Sequence, residues 1–356
     1  MKAREAKEVE IIRLLKASAG GGEGGGGFVS GEALSRALGV SRTAVWKHVN
    51  ALRKMGYGIE AVPSKGYRLG GASAQGKASL KGAGGPAGEE VFNGVEISSG
   101  LTTDFIGKNI FFYDAIDSTN IKAIELGRSG TGEGTAVVAD SQTSGKGRIG
   151  RRWESPPGVN LYTSIILRPG VSPSDAQALT LLAAVAVAEA VSVFIPRPPV
   201  VKWPNDILIG SKKVAGILME MDAEADRVEF IVAGIGINVN MDDSMLPEEL
   251  RRSATSLKEA AGGAVSRVGL ARTLYSRVEK WYKIFLREGR APVIEAWKGF
   301  FAFEGRPVRV LSFRETLEGI CMGVDEHGML LVRRPSGEIE RVISGDVEEV
   351  RSPGVD

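Results

Sequence analysis

The chain has 356 residues, 43% of them hydrophobic, with 45 Lys/Arg against 43 Asp/Glu and a formal net charge of +2. That length and apolar content suit two or three globular domains with substantial cores. A single cysteine, Cys321, excludes an internal disulfide and a cysteine-based zinc site, and only two histidines, His48 and His327, argue against Ser-His-Asp catalysis and histidine-rich metal centres.

The opening MKAREAKEVE carries no apolar signal core, and no run reaches the roughly 18 apolar residues of a membrane span, so a cytoplasmic protein with no membrane partner is expected. Residues 5–17 predict a helix with Val9, Ile12 and Leu14 or Leu15 on one face. The glycine run at 20–27 matches G-x-G-x-x-G by composition alone; with no strand before it, it predicts a flexible insertion.

Residues 30–69 carry helix-turn-helix spacing. Leu34 and Leu38 share a face of one helix, Gly39 supplies a turn, and Ser41 is placed to cap a second helix on which Val45, Val49 and Leu52 form an i, i+4, i+7 stripe. Outward on that second helix lie Arg42, Thr43, Trp46, Lys47 and Asn50, residue types that reach phosphates and base edges. Strands at 59–62 and 67–69 flank Pro63-Ser-Lys-Gly66 as a hairpin or wing that presents Lys65. An ordinary helical hairpin with a solvated face is the bland alternative. Charge favours DNA: residues 1–70 hold 12 Lys/Arg and 6 Asp/Glu, whereas the rest hold 33 and 37. The first domain is therefore 1–70, followed by a Gly/Ala/Ser/Lys-rich linker at 71–90 with no apolar period.

Strand and helix patterns then intermix from 91 to 302. Strands are expected near 110–114, 135–139, 160–168, 200–203, 213–221 and 227–239, and helices near 117–127, 174–194 and 268–288, which argues a sheet domain of α/β or α+β type. Short alternating runs at 308–311, 317–324, 329–332 and 338–343, split by Gly and Pro, predict a small β-barrel over 303–356.

Within the central domain, SGKGRIGRRWES at 144–155 raises the question of a nucleotide fingerprint, because Gly145, Gly147 and Gly150 match G-x-G-x-x-G behind a strand. A fingerprint needs a helix to open there, and Pro156-Pro157 remove amide donors where one would continue. The P-loop pattern fails as well, since Gly145-Lys146 is followed by glycine. What remains is a flexible loop with four cations, Lys146, Arg148, Arg151 and Arg152, and no acid among them: an anion clamp.

Taken in order, the winged helix, Asp117-Ser-Thr-Asn120, Gln142 with Gly145–Trp153, Lys202-Trp-Pro-Asn-Asp206, Lys213-Val-Ala-Gly-Ile217, Gly234-Ile-Gly-Ile-Asn-Val-Asn240 and the small β domain resemble the bifunctional biotin protein ligases that also repress the biotin operon. The resemblance spans nearly the whole chain. It implies a multidomain α+β protein: an N-terminal winged helix-turn-helix, a central mixed-sheet ligase domain resembling class II synthetases, and a C-terminal SH3-like β-barrel. It implies activation of biotin by ATP and Mg²⁺ to biotinyl-5′-adenylate, then transfer to a lysine of a biotin carboxyl carrier domain. It also implies operator binding by a homodimer formed with the adenylate bound.

By the same resemblance, Ser118, Thr119, Asn120, Gln142, Gly145, Lys146, Gly147, Arg148, Lys213, Gly234 and Gly236 surround biotin. Arg148, Arg151, Trp153, Asn205 and Asn238 hold ATP or the adenylate, Asp206 binds Mg²⁺, and Lys213 and Arg148 are the catalytic pair. Adjacent Lys212 leaves open a register slip by one. The segment 241–256, with Met245, Leu246 and Leu250, resembles a flap over adenine. Lys146 stands where the family usually has Arg, which keeps charge but loses the planar fork, and Ile149 removes a further charge. With no histidine between 49 and 326, catalysis is expected to rest on positioning and electrostatics. Two rival readings are a lipoate protein ligase and a ligand-sensing repressor without turnover.

Overall fold

The computed structural model describes residues 3–19, 27–70, 90–172, 175–224, 227–311 and 316–349. Residues 20–26 of the glycine run and 71–89 of the expected linker lie outside the described residues.

At the N-terminal end, α1 (Ala3–Ala19), α2 (Gly31–Leu38) and α3 (Arg42–Lys54) precede a hairpin of β1 (Ile59–Val62) and β2 (Gly66–Leu69). Ser30 and Ser41 cap α2 and α3, each hydroxyl accepting from the amide three residues on. Gly39 closes α2 at φ 61°, a left-handed conformation that disfavours a side chain. Val45, Val49 and Leu52 are fully buried and join Ile11, Ile12 and Leu15 of α1 in a core separate from that of the central domain. The stripe read from the sequence is thus the packing face of a winged helix-turn-helix.

This unit docks on α4 (Gly94–Ser99), a six-residue helix too short to announce itself in the sequence. Lys16 pairs with Glu96, the Tyr57 hydroxyl donates to Glu96 at 3.2 Å, and Arg13 donates to the Ser98 and Ser99 carbonyls.

Beyond it, β3 (Ile110–Tyr113), β4 (Ala136–Ala139), β5 (Leu161–Leu167), β6 (Val200–Lys202), β7 (Asp206–Ile209), β8 (Lys212–Glu224) and β9 (Arg227–Ile237) form a seven-stranded sheet. Its order is β3-β4-β5-β9-β8-β7-β6; β3 and β4 run parallel and the other neighbours antiparallel, so the sheet is mixed. Alternation sorts its two faces. Val137, Ile166 and Val232 cluster with Ala123 of α5 (Thr119–Arg128), while Val138, Ile165 and Ala233 join the large core beneath α6 (Ala176–Ser192), α9 (Arg267–Glu288) and α10 (Ala291–Lys298). Two short helices, α7 (Glu248–Arg251) and α8 (Leu257–Ala261), lie in the connection from β9 to α9.

The C-terminal domain pairs β10 (Pro307–Leu311), β11 (Thr316–Val324), β12 (Leu330–Arg333), β13 (Ile339–Val342) and β14 (Asp346–Glu349) as an antiparallel sheet in the order β13-β12-β11-β10-β14. Trp203, fully buried, donates its indole N–H to the Gly328 carbonyl at 3.0 Å and ties this domain to the central sheet.

Candidate active site and DNA interface

The N-terminus of α5 sets one end of the site. Asp117 accepts from the Ser118 amide at 2.7 Å, and Gln142 Oε1 accepts from the Thr119 amide at 2.8 Å. Gln142 Nε2 then donates to Ser155 Oγ at 3.0 Å, and Ser164 donates to Thr119 Oγ1 and to Asn120 Oδ1. Asn120 Nδ2 in turn donates to Glu220 at 2.8 Å. Ser118, Thr119 and Asn120 are buried, so each polar group there needs a partner or a ligand.

A cleft of about 530 Å³ opens above this network. All the residues expected around biotin and ATP line it except Gly145, which lines an adjoining hollow with the rest of the cationic loop. Gly234 and Gly236 of β9 line the cleft, and neither position has room for a side chain. A Cβ at Gly234 would stand 2.0 Å from Asn120 Oδ1, and one at Gly236 would stand 2.6 Å from Trp153 Nε1. That indole nitrogen is a buried donor without an acceptor among the described residues.

The cationic loop is a tight hairpin. Gly147 donates to the Arg151 carbonyl at 2.7 Å, Trp153 donates to the Gly145 carbonyl at 2.9 Å, and the tip passes through Ile149 at φ 54°, rare for a β-branched residue. Ile149 is 60% exposed, which gives the loop a solvent-facing tip.

The loop lacks acids of its own, but other elements supply them. Arg151 pairs with Asp346 of β14 at 2.6 Å, Arg148 lies 3.5 Å from the same carboxylate, and Lys146 lies 3.5 Å from Glu220. Arg148 also donates to Asn205 Oδ1 at 3.0 Å and to the Gly345 carbonyl at 3.3 Å. Burial pulls the Arg148 guanidinium down from its ordinary range, and Asp346 and Asp206 oppose that shift. Asn205 donates to the Ile217 carbonyl at 2.7 Å, so it anchors the loop arginine to β8.

Register resolves the two lysines. Lys213 Nζ reaches Asp206 at 2.6 Å and lies 5.3 Å from the Trp153 ring centroid, inside the cleft. Lys212 turns away to Glu259 at 3.2 Å, as successive strand residues must. The segment after β9 also closes on the cleft: Leu246 and Leu250 line it, Met245 is exposed, and Asn238 donates to the Thr255 carbonyl at 3.1 Å.

Sequence reading missed Asp346 and Lys202 as cleft residues and Glu220 in the adjoining hollow. For Asp346 the only local signal was the Ser344-Gly345 turn before it.

On the winged helix, α3 exposes Arg42, Thr43, Lys47 and Trp46, the last at 55%, while Asn50 is half-buried and accepts from Arg53. Arg42 is held by Glu32 at 2.9 Å. Lys65 projects from the wing near the Phe28 ring.

A cation-lined cleft on a mixed sheet, carried with a winged helix and a small β domain, defines a DNA-binding enzyme of the ligase class. The biotin/lipoate A/B protein ligase family model matches residues 113–238, an HTH domain model 23–68, and the biotin protein ligase C-terminal domain model 304–348. The chain is 41% identical to the bifunctional ligase/repressor BirA of Bacillus subtilis, over 92% of this chain and 95% of that protein. It is 32% identical to the BirA of Escherichia coli over 90% and 93%. A biotin protein ligase from Aquifex aeolicus, solved with biotin and ATP, superposes with a TM-score of 0.60 at 31% identity, covering 69% of this chain and all of that one. The chain belongs to the biotin protein ligase family, in its bifunctional ligase/repressor branch.

The register makes a clear prediction. Lys213→Ala is expected to depress adenylate formation strongly, whereas Lys212→Ala leaves it near wild type; equal losses in a biotin-dependent pyrophosphate-exchange assay contradict the assignment.

Proposed function

We propose that the protein activates biotin with ATP to biotinyl-5′-adenylate and transfers biotin to a lysine of a biotin carboxyl carrier domain. The adenylate-bound form dimerises and represses biotin-synthesis genes at operator DNA. The observation that carries this reading is the convergence of Lys213, Arg148 and Arg151 on one cleft whose far end is the polar N-terminus of α5.

The chemistry requires an anionic carboxylate to approach an anionic α-phosphate. Fixed cations lower that barrier by meeting charge as it develops, without reorganising at the moment of reaction. Lys213 holds the carboxylate of biotin, Arg148 and Arg151 meet the phosphates, and Trp153 offers to the ligand an indole N–H that has no acceptor among the described residues. Ser118, Thr119 and Gln142 orient the biotin end, and Asn238 with the Leu246 and Leu250 segment covers adenine. The catalytic segment has no imidazole, so positioning supplies most of the rate.

Mg²⁺ neutralises part of the triphosphate charge when bound. Among the described residues no group of three His, Cys, Asp or Glu could hold a metal alone. Asp206, a hard oxygen donor in the cleft, is the residue that would hold such a cation.

The lipoate alternative shares the central family model. The C-terminal domain model is that of biotin ligases, which favours biotin. Incubation of full-length protein with a biotin carrier domain, ATP, Mg²⁺ and either biotin or lipoate is expected to add one biotin by mass spectrometry and no lipoyl group; lipoyl addition alone contradicts the substrate.

For the regulatory half, a gel shift on the promoter of the protein's own biotin operon is expected to show a dimeric complex that needs biotinyl-adenylate. Its affinity falls steeply as salt rises, because phosphate contacts release counterions. Absence of any adenylate-dependent complex contradicts operator binding.

A further inference from the structure

The cations lining the cleft are not equivalent. Lys146 lies 3.5 Å from Glu220, Arg151 2.6 Å and Arg148 3.5 Å from Asp346, Arg152 3.7 Å from Glu154, and Lys213 2.6 Å from Asp206. Lys202 differs. It lines the same cleft, yet among the described residues nothing forms a hydrogen bond or ion pair with its ammonium. Val201 is fully buried, so alternation along β6 sends Lys202 to the cleft face, and its partner across the β6–β7 pair is Asp206.

Sheet order gives that position a meaning. From β9 outward the neighbours are β8, β7 and β6. Gly234 and Gly236 lie on β9, Lys213 on β8, Asp206 on β7 and Lys202 on the edge strand β6. A ligand laid across the strands passes from the ring end, to the reacting carboxylate, to the phosphate chain. We propose that Lys202 binds the β- and γ-phosphates of ATP and neutralises the departing pyrophosphate. This assignment rests on the biotin-activating function proposed for the same cleft.

In that step a carboxylate oxygen forms a bond to the α-phosphorus, the bond from this phosphorus to its bridging oxygen breaks, and the electron pair leaves on pyrophosphate. Attacking and leaving oxygens lie roughly in line, so the leaving group emerges on the side away from the carboxylate held by Lys213. The arginines of the loop have carboxylates to exchange before they meet phosphate; Lys202 has none among the described residues. Once the adenylate has formed, no pyrophosphate remains, and Lys202 has no part in transfer to the acceptor lysine.

The two half-reactions therefore separate its role. In full-length protein with biotin and Mg²⁺ held constant, Lys202→Gln is expected to lower pyrophosphate exchange by about tenfold or more and to raise the KM for pyrophosphate, the loss of one charge-assisted contact. Transfer from synthetic biotinyl-5′-adenylate to the carrier domain stays at the wild-type rate, and Lys202→Arg recovers exchange. Exchange and transfer falling together would mean a structural role and overturn the assignment. So would an unchanged pyrophosphate dependence. Wild-type protein without biotin-dependent exchange overturns the activating function itself, and the assignment with it.

Discussion

Charge balance in one cleft governs the rest of the structure. Two like charges about 5 Å apart repel by about 3 kcal/mol at an effective dielectric near 20. The cleft nevertheless gathers Lys146, Arg148, Arg151, Arg152, Lys202 and Lys213. It tolerates them because acids arrive from distant elements: Glu220 from β8, Asp206 from β7 and Asp346 from β14. The small C-terminal domain is thereby part of the cleft, since its last described strand carries the carboxylate shared by both loop arginines. In the proposed reaction, anionic phosphates entering the cleft would exchange with these carboxylates, and closure of the loop on the ligand would follow from what its cations gain by the exchange.

Much of the fold was legible because its apolar periods are strong. The stripe of Val45, Val49 and Leu52 identified the second helix of the winged unit, and the long alternating β8 and β9 identified the sheet. The elements that escaped were short. The helices α4, α7, α8 and α10 and the strands β7 and β14 span four to eight residues each, too few turns or pleats for a period to stand out. The loop's cations were plain in SGKGRIGRRWES, but their partners were not. Asp346 is nearly 200 residues away from Arg148 and meets it only because the C-terminal sheet packs on the central domain. The glycines of β9 were visible as a kinked strand, yet what fills the space beside them, Asn120 and Trp153, depends on the tertiary packing of α5 and the loop.

The two activities share a chain through a small set of contacts. Glu96 on α4 receives Lys16 and Tyr57 from the winged helix and Arg272 from α9, so the DNA-binding unit and the core helix of the ligase domain meet at one carboxylate. At the start of α9, Arg267 pairs with Asp140 at 2.7 Å, two residues before Gln142. Polar contacts at the two places thus join α9 to the winged helix through Glu96 and to the strand β4 end through Asp140.

Hydrogen exchange of the 144–153 amides tests the central claim, that phosphate and not biotin alone closes the loop. Protein without ligand, with biotin, and with biotinyl-5′-adenylate would be compared. The account predicts that the adenylate slows exchange across the loop by about tenfold or more while biotin alone leaves it near the ligand-free rate. Equal protection by biotin alone, or none by the adenylate, would contradict it.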